Sequence, residues 1–307
     1  MNKVFIDGSA GTTGLKIVDR LSKRDDIELI TLSGELRKDV LARQDAINSA
    51  DIVFLCLPDD AARESVSLVK NDKVKIIDTS TAHRTACGWE HGFPELDDKR
   101  ERIANSKRIA NPGCHASGFI SLIAPLVGAG VMKKDVNLTC FSLTGYTGGG
   151  KKMIADYESA DRTSLLDAPR QYGLSQKHKH LPEMKTICNL DVLPVFCPIV
   201  APFAQGMEVT VPLFKEQIKC GINDVKDIYK STYTGKLIHF DEDDKENGFL
   251  SAGLLSGRDD MSISVYGNEE RIILVSRFDN LGKGASGAAI QNMNILLGVD
   301  ETRGLNF

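Results

Sequence analysis

Much of what this 307-residue sequence could be is excluded by what it lacks. No uninterrupted apolar run approaches the ~18 residues a helix needs to cross a bilayer. The opening Met1-Asn2-Lys3 runs straight into the strand-like Val4-Phe5-Ile6, with no apolar core and no small-residue cleavage site of a secretory leader. A cytoplasmic location is expected. Paired cysteines are also missing: the seven cysteines are odd in number, spread from Cys56 to Cys220, and contain no C-x-x-C. That pattern excludes a disulfide framework and a structural zinc site, so reduced thiols and no metal are expected. There is no excess of charge of one sign. Thirty-eight basic residues face 42 acidic ones, for a net charge of −4 without long runs, which gives nucleic acid or an anionic membrane no electrostatic reason to bind. Any anionic ligand must therefore be held by local groups. Repeats and low-complexity tracts are absent too, and the length favours two ordinary domains.

What is present is organised around Asn111-Pro112-Gly113-Cys114-His115-Ala116-Ser117-Gly118-Phe119, which leads into the apolar run Ile120 to Val127. Asn-Pro and Pro-Gly are turn chemistry, and the apolar residues from Ala116 to Leu126 recur at helical spacing, so Cys114 should sit where a loop enters a helix. Open amide N–H groups and the positive end of the helix dipole favour a thiolate there, and the thiolate is the nucleophile. The alternative is a small buried cysteine under a turn.

At the start of the chain, Lys3 to Asp7 reads as a buried strand, Gly8-Ser9-Ala10-Gly11-Thr12-Thr13-Gly14 as a glycine-spaced turn, and Leu15 to Leu21 as an amphipathic helix. Strand, turn and helix in that order form a dinucleotide-phosphate cradle, with candidate contacts at Gly8, Ser9, Gly11, Thr12, Thr13 and Gly14. The spacing is G-x-x-G-x-x-G rather than the commoner G-x-G-x-x-G. A second strand, Ile27 to Leu32, ends near Ser33 and Arg37, where an adenosine ribose would lie. A base there favours a 2′-phosphate and hence NADP; Glu35 would favour a free hydroxyl, and a merely solvated Arg37 is the other reading. Asp51 to Pro58, Lys75 to Asp78 and Arg108 to Ala110 read as further buried strands, with a helix from Pro58 through Val69. Continuous apolar strands alternating with helices predict a Rossmann-type doubly wound parallel sheet. The last strand would deliver Cys114 to the carboxyl edge of that sheet, where the glycine turn also lies.

Beyond Cys114 the pattern alternates with period two at Val136 to Thr144, Leu193 to Cys197, Glu208 to Leu213, Ser262 to Tyr266 and Arg271 to Phe278, which predicts an α+β domain with a mostly antiparallel sheet. It includes a glycine-rich loop, Gly145 to Lys152. Asp279 to Asn292 reads as a small-residue loop opening a terminal helix, either for approach to a flat ring or for tight packing. The expected division is a dinucleotide-binding domain over residues 1–114, completed by a C-terminal helix in 284–307, and a catalytic and oligomerisation domain over 115–283.

The glycine turn, the Asn-Pro-Gly-Cys element, His178-Lys179-His180-Leu181-Pro182-Glu183 and the closing Lys283-Gly284-Ala285 through Gln291-Asn292 resemble, in order over almost the whole chain, the N-acetyl-gamma-glutamyl-phosphate reductase family in its shorter form. The resemblance implies NADPH-dependent reduction of an acyl phosphate in arginine biosynthesis by a homodimer or homotetramer, with Cys114 as nucleophile and His180 or His178 as catalytic base. If that segment is extended, its two histidines point oppositely and only one faces Cys114; His180 is favoured. The resemblance also implies Ser80, Asn280 and Lys283 at the cofactor and Arg84, Asn111 and Glu183 at the substrate. His115 departs from the aromatic residue many members carry after the cysteine. Aspartate-semialdehyde dehydrogenase and aminoadipyl-phosphate reductase perform the same chemistry and stand as alternatives. A dinucleotide-binding redox sensor, with Cys114 as the oxidisable thiol, is the non-enzymatic one.

Overall fold

The computed structural model describes residues 1–242 and 246–307, which divide into two compact units. The first comprises Met1–Pro112 with Ala285–Leu305, the second Gly113–Gly284 with Asn306–Phe307. Cys114, expected at the end of the first domain, lies in the second unit, which begins at Gly113. Among the described residues no helix is long and apolar enough to cross a membrane.

The first unit holds a six-stranded parallel sheet of β1 (Asn2–Asp7), β2 (Ile27–Ile30), β3 (Ile52–Leu55), β4 (Lys75–Asp78), β5 (Glu90–His91) and β6 (Arg108–Ala110), in the order β2-β1-β3-β4-β6-β5. The side-chain period of two sends successive residues to opposite faces, and both faces are buried. Val4 and Ile6 of β1 join Ile52, Phe54, Ile77 and Ile109 in one apolar layer. Phe5 joins Val53, Leu55 and Ile76 in the other. Helices α1 (Thr12–Leu21) and α4 (Lys99–Asn105) contribute Ile17, Leu21 and Ile103 to the first layer. Helices α2 (Val40–Ser49) and α3 (Asp59–Ser67) contribute Ala46, Ile47 and Ala62 to the second. Five strands were legible as apolar runs. The two-residue edge strand β5 was not, because two residues carry no periodicity. The chain reverses direction across the sheet between β1 and β3, so the turn after β1 lies at a topological switch point, where open α/β sheets bind ligands.

The second unit is built on α5 (Cys114–Gly128), buried on nearly every side. Its seven-stranded sheet contains β7 (Thr139–Gly145), β8 (Arg170–Gln171), β9 (Val195–Ala201), β10 (Met207–Phe214), β11 (Ile238–Phe240), β12 (Met261–Gly267) and β13 (Arg271–Phe278), in the order β11-β12-β13-β10-β7-β9-β8. The pairs β12–β13, β13–β10, β10–β7 and β9–β8 are antiparallel, and β11–β12 and β7–β9 are parallel. Gly118 lets α5 lie directly on the sheet: a Cβ there would come within 2.3 Å of Val209 Cγ2. Helices α6 (Gly150–Glu158), α7 (Leu181–Ile187) and α8 (Ile222–Thr232) complete the unit. The expected glycine-rich loop is instead a 3-10 turn (Tyr146–Gly149) that runs straight into α6, with Lys151 and Lys152 in its first turn. The final helix α9 (Gly287–Leu297) belongs to the first unit, where Ile290 and Met293 join the layer of α1.

Candidate active site

In the second unit the amino ends of two helices meet. Gly113 is the N-cap of α5 and has no side chain to satisfy the first-turn amides; its own amide donates instead to Glu183 Oε1 at 3.0 Å. Glu183 stands in the first turn of α7, whose N-cap is His180. This bond ties the start of α7 to the start of α5, and with it the histidine segment to Cys114. Cys114 is half-buried, as the first helical residue of α5. Gly284 reaches it from the far end of the sequence: a Cβ at 284 would lie 3.0 Å from the Cys114 Cβ, so a larger residue there would press on the thiol-bearing carbon.

Around this point stand three imidazoles. The ring of His115 lies 5.6 Å from His178 and 5.5 Å from His180, and the last two lie 4.8 Å apart. Segment 178–180 is a turn rather than a strand, with His180 in helical backbone geometry, so both rings gather on one side instead of pointing oppositely. His178 Nδ1 accepts the His180 backbone amide at 3.2 Å, which places the hydrogen of a neutral His178 on Nε2. His115 is buried, with Nδ1 2.6 Å from Ser142 Oγ and Nε2 2.7 Å from the Tyr172 hydroxyl. Burial, with a smaller push from His178, lowers its pKa to about 3. Burial, and then the Cys114 charge, raise that of the Tyr172 phenol. Neither His115, Tyr172, Ser142 nor Gly284 stood out in the sequence as a site residue. His115 was visible only as a departure from its family's pattern and Gly284 only as a small residue in a loop.

The turn after β1 is shaped as a phosphate cradle. Gly8 has φ +88°, and a Cβ there would sit 2.3 Å from the Cys56 carbonyl oxygen; a Cβ at Gly14 would sit 2.5 Å from the Gly8 carbonyl oxygen. Both glycines are required by the protein's own backbone. Gly11 is not, since its Cβ would meet only ordinary contacts at 3.5 and 3.7 Å, and it caps α1 without a side-chain hydrogen bond. A glycine that the packing does not demand, at an uncapped helix start, fits close approach by a pyrophosphate. Asp7, the residue before Gly8, does not oppose that charge. It is buried and bound to Arg43 Nη2 at 3.0 Å and to Ser65 Oγ at 2.7 Å. At the end of β2, Arg37 is exposed on a short 3-10 turn (Leu36–Lys38) and is anchored by Nε to the Leu32 carbonyl at 3.2 Å. Ser33 and Glu35 beside it are exposed.

Several expected ligand contacts also have structural duties. Arg84 is buried and donates from Nε to the Asn111 carbonyl at 3.0 Å and from Nη2 to the Thr79 carbonyl at 3.1 Å. Asn111 donates to the Ala285 carbonyl at 3.0 Å and accepts from Asn292 at 3.3 Å, bracing β6 against the approach to α9 with both ends of its amide. Ser80 binds Asp78 Oδ2 at 2.8 Å, and Asp78 also holds His83. In the second unit, Asn280 accepts from the Gly206 amide at 3.0 Å and donates to Thr147 Oγ1 at 3.1 Å. Lys283 is buried in the π-helical turn Gly282–Ser286 that precedes α9.

A doubly wound parallel domain joined to an α+β domain whose helix opens on a cysteine defines the class of semialdehyde dehydrogenases. The family model for the semialdehyde dehydrogenase NAD binding domain matches residues 3–106, and that for the semialdehyde dehydrogenase dimerisation domain matches residues 114–280. The fold is shared with aspartate semialdehyde dehydrogenase II of Vibrio cholerae (TM-score 0.72, 16% identity, 97% of this chain and 98% of that one). It is also shared with the NADP-bound aspartate semialdehyde dehydrogenase of Candida albicans (TM-score 0.69, 17% identity, 97% and 98%). Much higher identity links the chain to N-acetyl-gamma-glutamyl-phosphate reductase 2 of Nostoc sp., at 43% over 99% of each chain. The N-acetyl-gamma-glutamyl-phosphate reductase of Rhizobium meliloti is 45% identical over 96% of this chain and 98% of its own. The chain belongs to the N-acetyl-gamma-glutamyl-phosphate reductase family, and its first unit is a nicotinamide-dinucleotide-binding domain.

Proposed function

We propose that this protein reduces N-acetyl-glutamyl 5-phosphate to N-acetyl-glutamate 5-semialdehyde and releases phosphate, with NADPH as the reductant. The observation that carries the reading is the meeting of α5 and α7, which gathers Cys114, His178, His180 and Glu183 at two helix starts. Cys114 thiolate attacks the acyl carbon, and the phosphate leaves with the electron pair of the broken C–O bond, forming a thioester. The turn Gly8–Gly14 with Ser9, Thr12 and Thr13 holds the dinucleotide, which supplies hydride when bound. The oxygen left negative by hydride arrival takes a proton from the imidazolium of His180; the resulting thiohemiacetal returns it to the imidazole as the C–S bond breaks toward sulfur, which regenerates the Cys114 thiolate and releases the aldehyde. His180 is the proton-handling residue, because the Nδ1 acceptor of His178 is already engaged by the His180 amide. Backbone amides at the start of α5 stabilise the transient oxyanion. Arg84 and Glu183 flank the substrate in this reading, and Arg37 selects NADP over NAD.

A homo-oligomer fits the exposed face of the second unit's sheet. Phe141, Val195, Pro212 and Ile273 alternate outward there with buried neighbours, and such an apolar face suits a second copy of the chain.

The substrate is tested by running the reaction in reverse, following phosphate-dependent NADP reduction with two aldehydes. N-acetyl-glutamate semialdehyde is expected to be favoured over aspartate semialdehyde by ~10⁴-fold in kcat/KM, because a site built to hydrogen-bond an acetamide is left with unpaired groups by a free ammonium. A preference for the aspartate compound would reassign the substrate.

A further inference from the structure

Beside Cys114 lies a hydrogen-bonded chain of three side chains that the reaction as described does not use. Ser142 on β7 is fully buried, and among the described residues its hydroxyl has one hydrogen-bond partner, His115 Nδ1 at 2.6 Å. On the other side of the ring, His115 Nε2 is 2.7 Å from the Tyr172 hydroxyl, for which His115 is likewise the one partner among the described residues. The directions of these bonds follow from burial. A neutral imidazole donates from one nitrogen and accepts at the other. If Nδ1 carried the hydrogen, the Ser142 proton would be left without an acceptor in a site closed to water, which burial penalises. Ser142 therefore donates to Nδ1, and Nε2–H donates to the Tyr172 oxygen. The phenol's own hydrogen is then turned away from His115.

We infer that the Ser142–His115–Tyr172 chain orients the Tyr172 O–H as a hydrogen-bond donor to the acyl oxygen that becomes negative when Cys114 attacks. Tyr172 is then a further catalytic residue, and His115 and Ser142 are positioning residues. The placement supports this. His115 directly follows Cys114 on α5, and Tyr172 is held to β9 by its amide bond to the Pro198 carbonyl at 3.0 Å. Its hydroxyl is thus fixed against the residue that directly follows the nucleophile, on a half-buried side chain. Because burial and the Cys114 charge raise its pKa, the phenol keeps its proton and lends a hydrogen bond without transferring it. Donation from Nε2–H makes the phenol a stronger donor by polarising it. A phenylalanine or tryptophan in place of His115 would fill the space without directing the hydroxyl.

The inference rests on the proposed activity, and one set of assays separates the two. Wild type and the variants Tyr172→Phe, His115→Phe and Ser142→Ala are compared in phosphate-dependent oxidation of N-acetyl-glutamate semialdehyde, beside the pH profile of Cys114 alkylation by iodoacetamide. Tyr172→Phe is expected to lower kcat by ~10² with KM within a few-fold, as for loss of one oxyanion donor. His115→Phe and Ser142→Ala should lower kcat by smaller factors, and the His115→Phe/Tyr172→Phe double variant should be no slower than Tyr172→Phe alone. The alkylation profile should not move. A Tyr172→Phe kcat within threefold of wild type, multiplying losses in the double variant, or an alkylation profile shifted to higher pH would each overturn the relay and leave the activity standing. An inactive wild type would remove both.

Discussion

In the proposed reading, the choice between cofactors falls on the single side chain of Arg37. Its Nε is spent on the Leu32 carbonyl, which anchors the guanidinium at the end of β2. Arg37→Ala is expected to weaken NADPH binding by about 1.5–3 kcal/mol, the worth of a hydrogen bond to a charged group, and to leave NADH binding nearly unchanged. Titration with both cofactors decides it, and equal losses would show that Arg37 does not touch the 2′-phosphate. His115 carries a different kind of prediction. Its folded pKa of about 3 lies below the ordinary value of 6.5, so folding holds it neutral while the unfolded chain takes up a proton. The stability this contributes is present above pH ~6.5 and is lost as the pH falls toward ~3. Thermal unfolding of wild type should therefore soften over that range more steeply than unfolding of His115→Phe; parallel curves would contradict the burial of a neutral ring. At this scale the sequence revealed Cys114 and the glycines through spacing. The surroundings of Cys114 stayed hidden, because Ser142 and Tyr172 reach the neighbouring His115, and Gly284 the Cβ of Cys114, through tertiary structure that no local pattern marks.

At the scale of elements, α5 shows how the helix that opens on Cys114 is held. Pro125 lies inside it and has no N–H to give to Ser121, the residue four earlier. The vacated carbonyl is taken by the Tyr233 hydroxyl at 2.6 Å, and the Tyr229 hydroxyl takes the next carbonyl, that of Leu122, at 2.5 Å. Tyr229 stands on α8 and Tyr233 caps its end, so that helix latches onto α5 where its own ladder is broken. Tyr233→Phe leaves a buried carbonyl unsatisfied and is expected to cost about 1–3 kcal/mol, read as a lower midpoint in denaturant with an unchanged slope. An unchanged midpoint would mean that the break at Pro125 needs no outside partner. The helix itself was legible from Ala116 to Leu126 by its apolar spacing. The latch was not, since nothing in the sequence aligns two tyrosines with a proline more than a hundred residues away. The same limit explains the histidine segment: opposite-pointing histidines would have required extended backbone, whereas the segment turns into the start of α7, with Pro182 in its first turn.

For the whole molecule, order along the chain made the architecture legible: strand-helix alternation up to β6, then period-two strands, then a helix that rejoins the first unit. Short edge strands and the parallel pairings of β7 with β9 and β11 with β12 escaped, because register depends on partners rather than on periodicity. The proposed reaction passes through a thioester at Cys114. That claim is tested most directly by mixing the protein with N-acetyl-glutamate semialdehyde and NADP in the absence of phosphate, then following NADPH and mapping the acylated peptide by mass spectrometry. The expected result is a burst of about one NADPH per chain with the N-acetyl-glutamyl group on Cys114, discharged into steady turnover when phosphate is added and absent in Cys114→Ser. Steady turnover without an acyl-enzyme, a burst that survives Cys114→Ser, or acylation at another cysteine would contradict it.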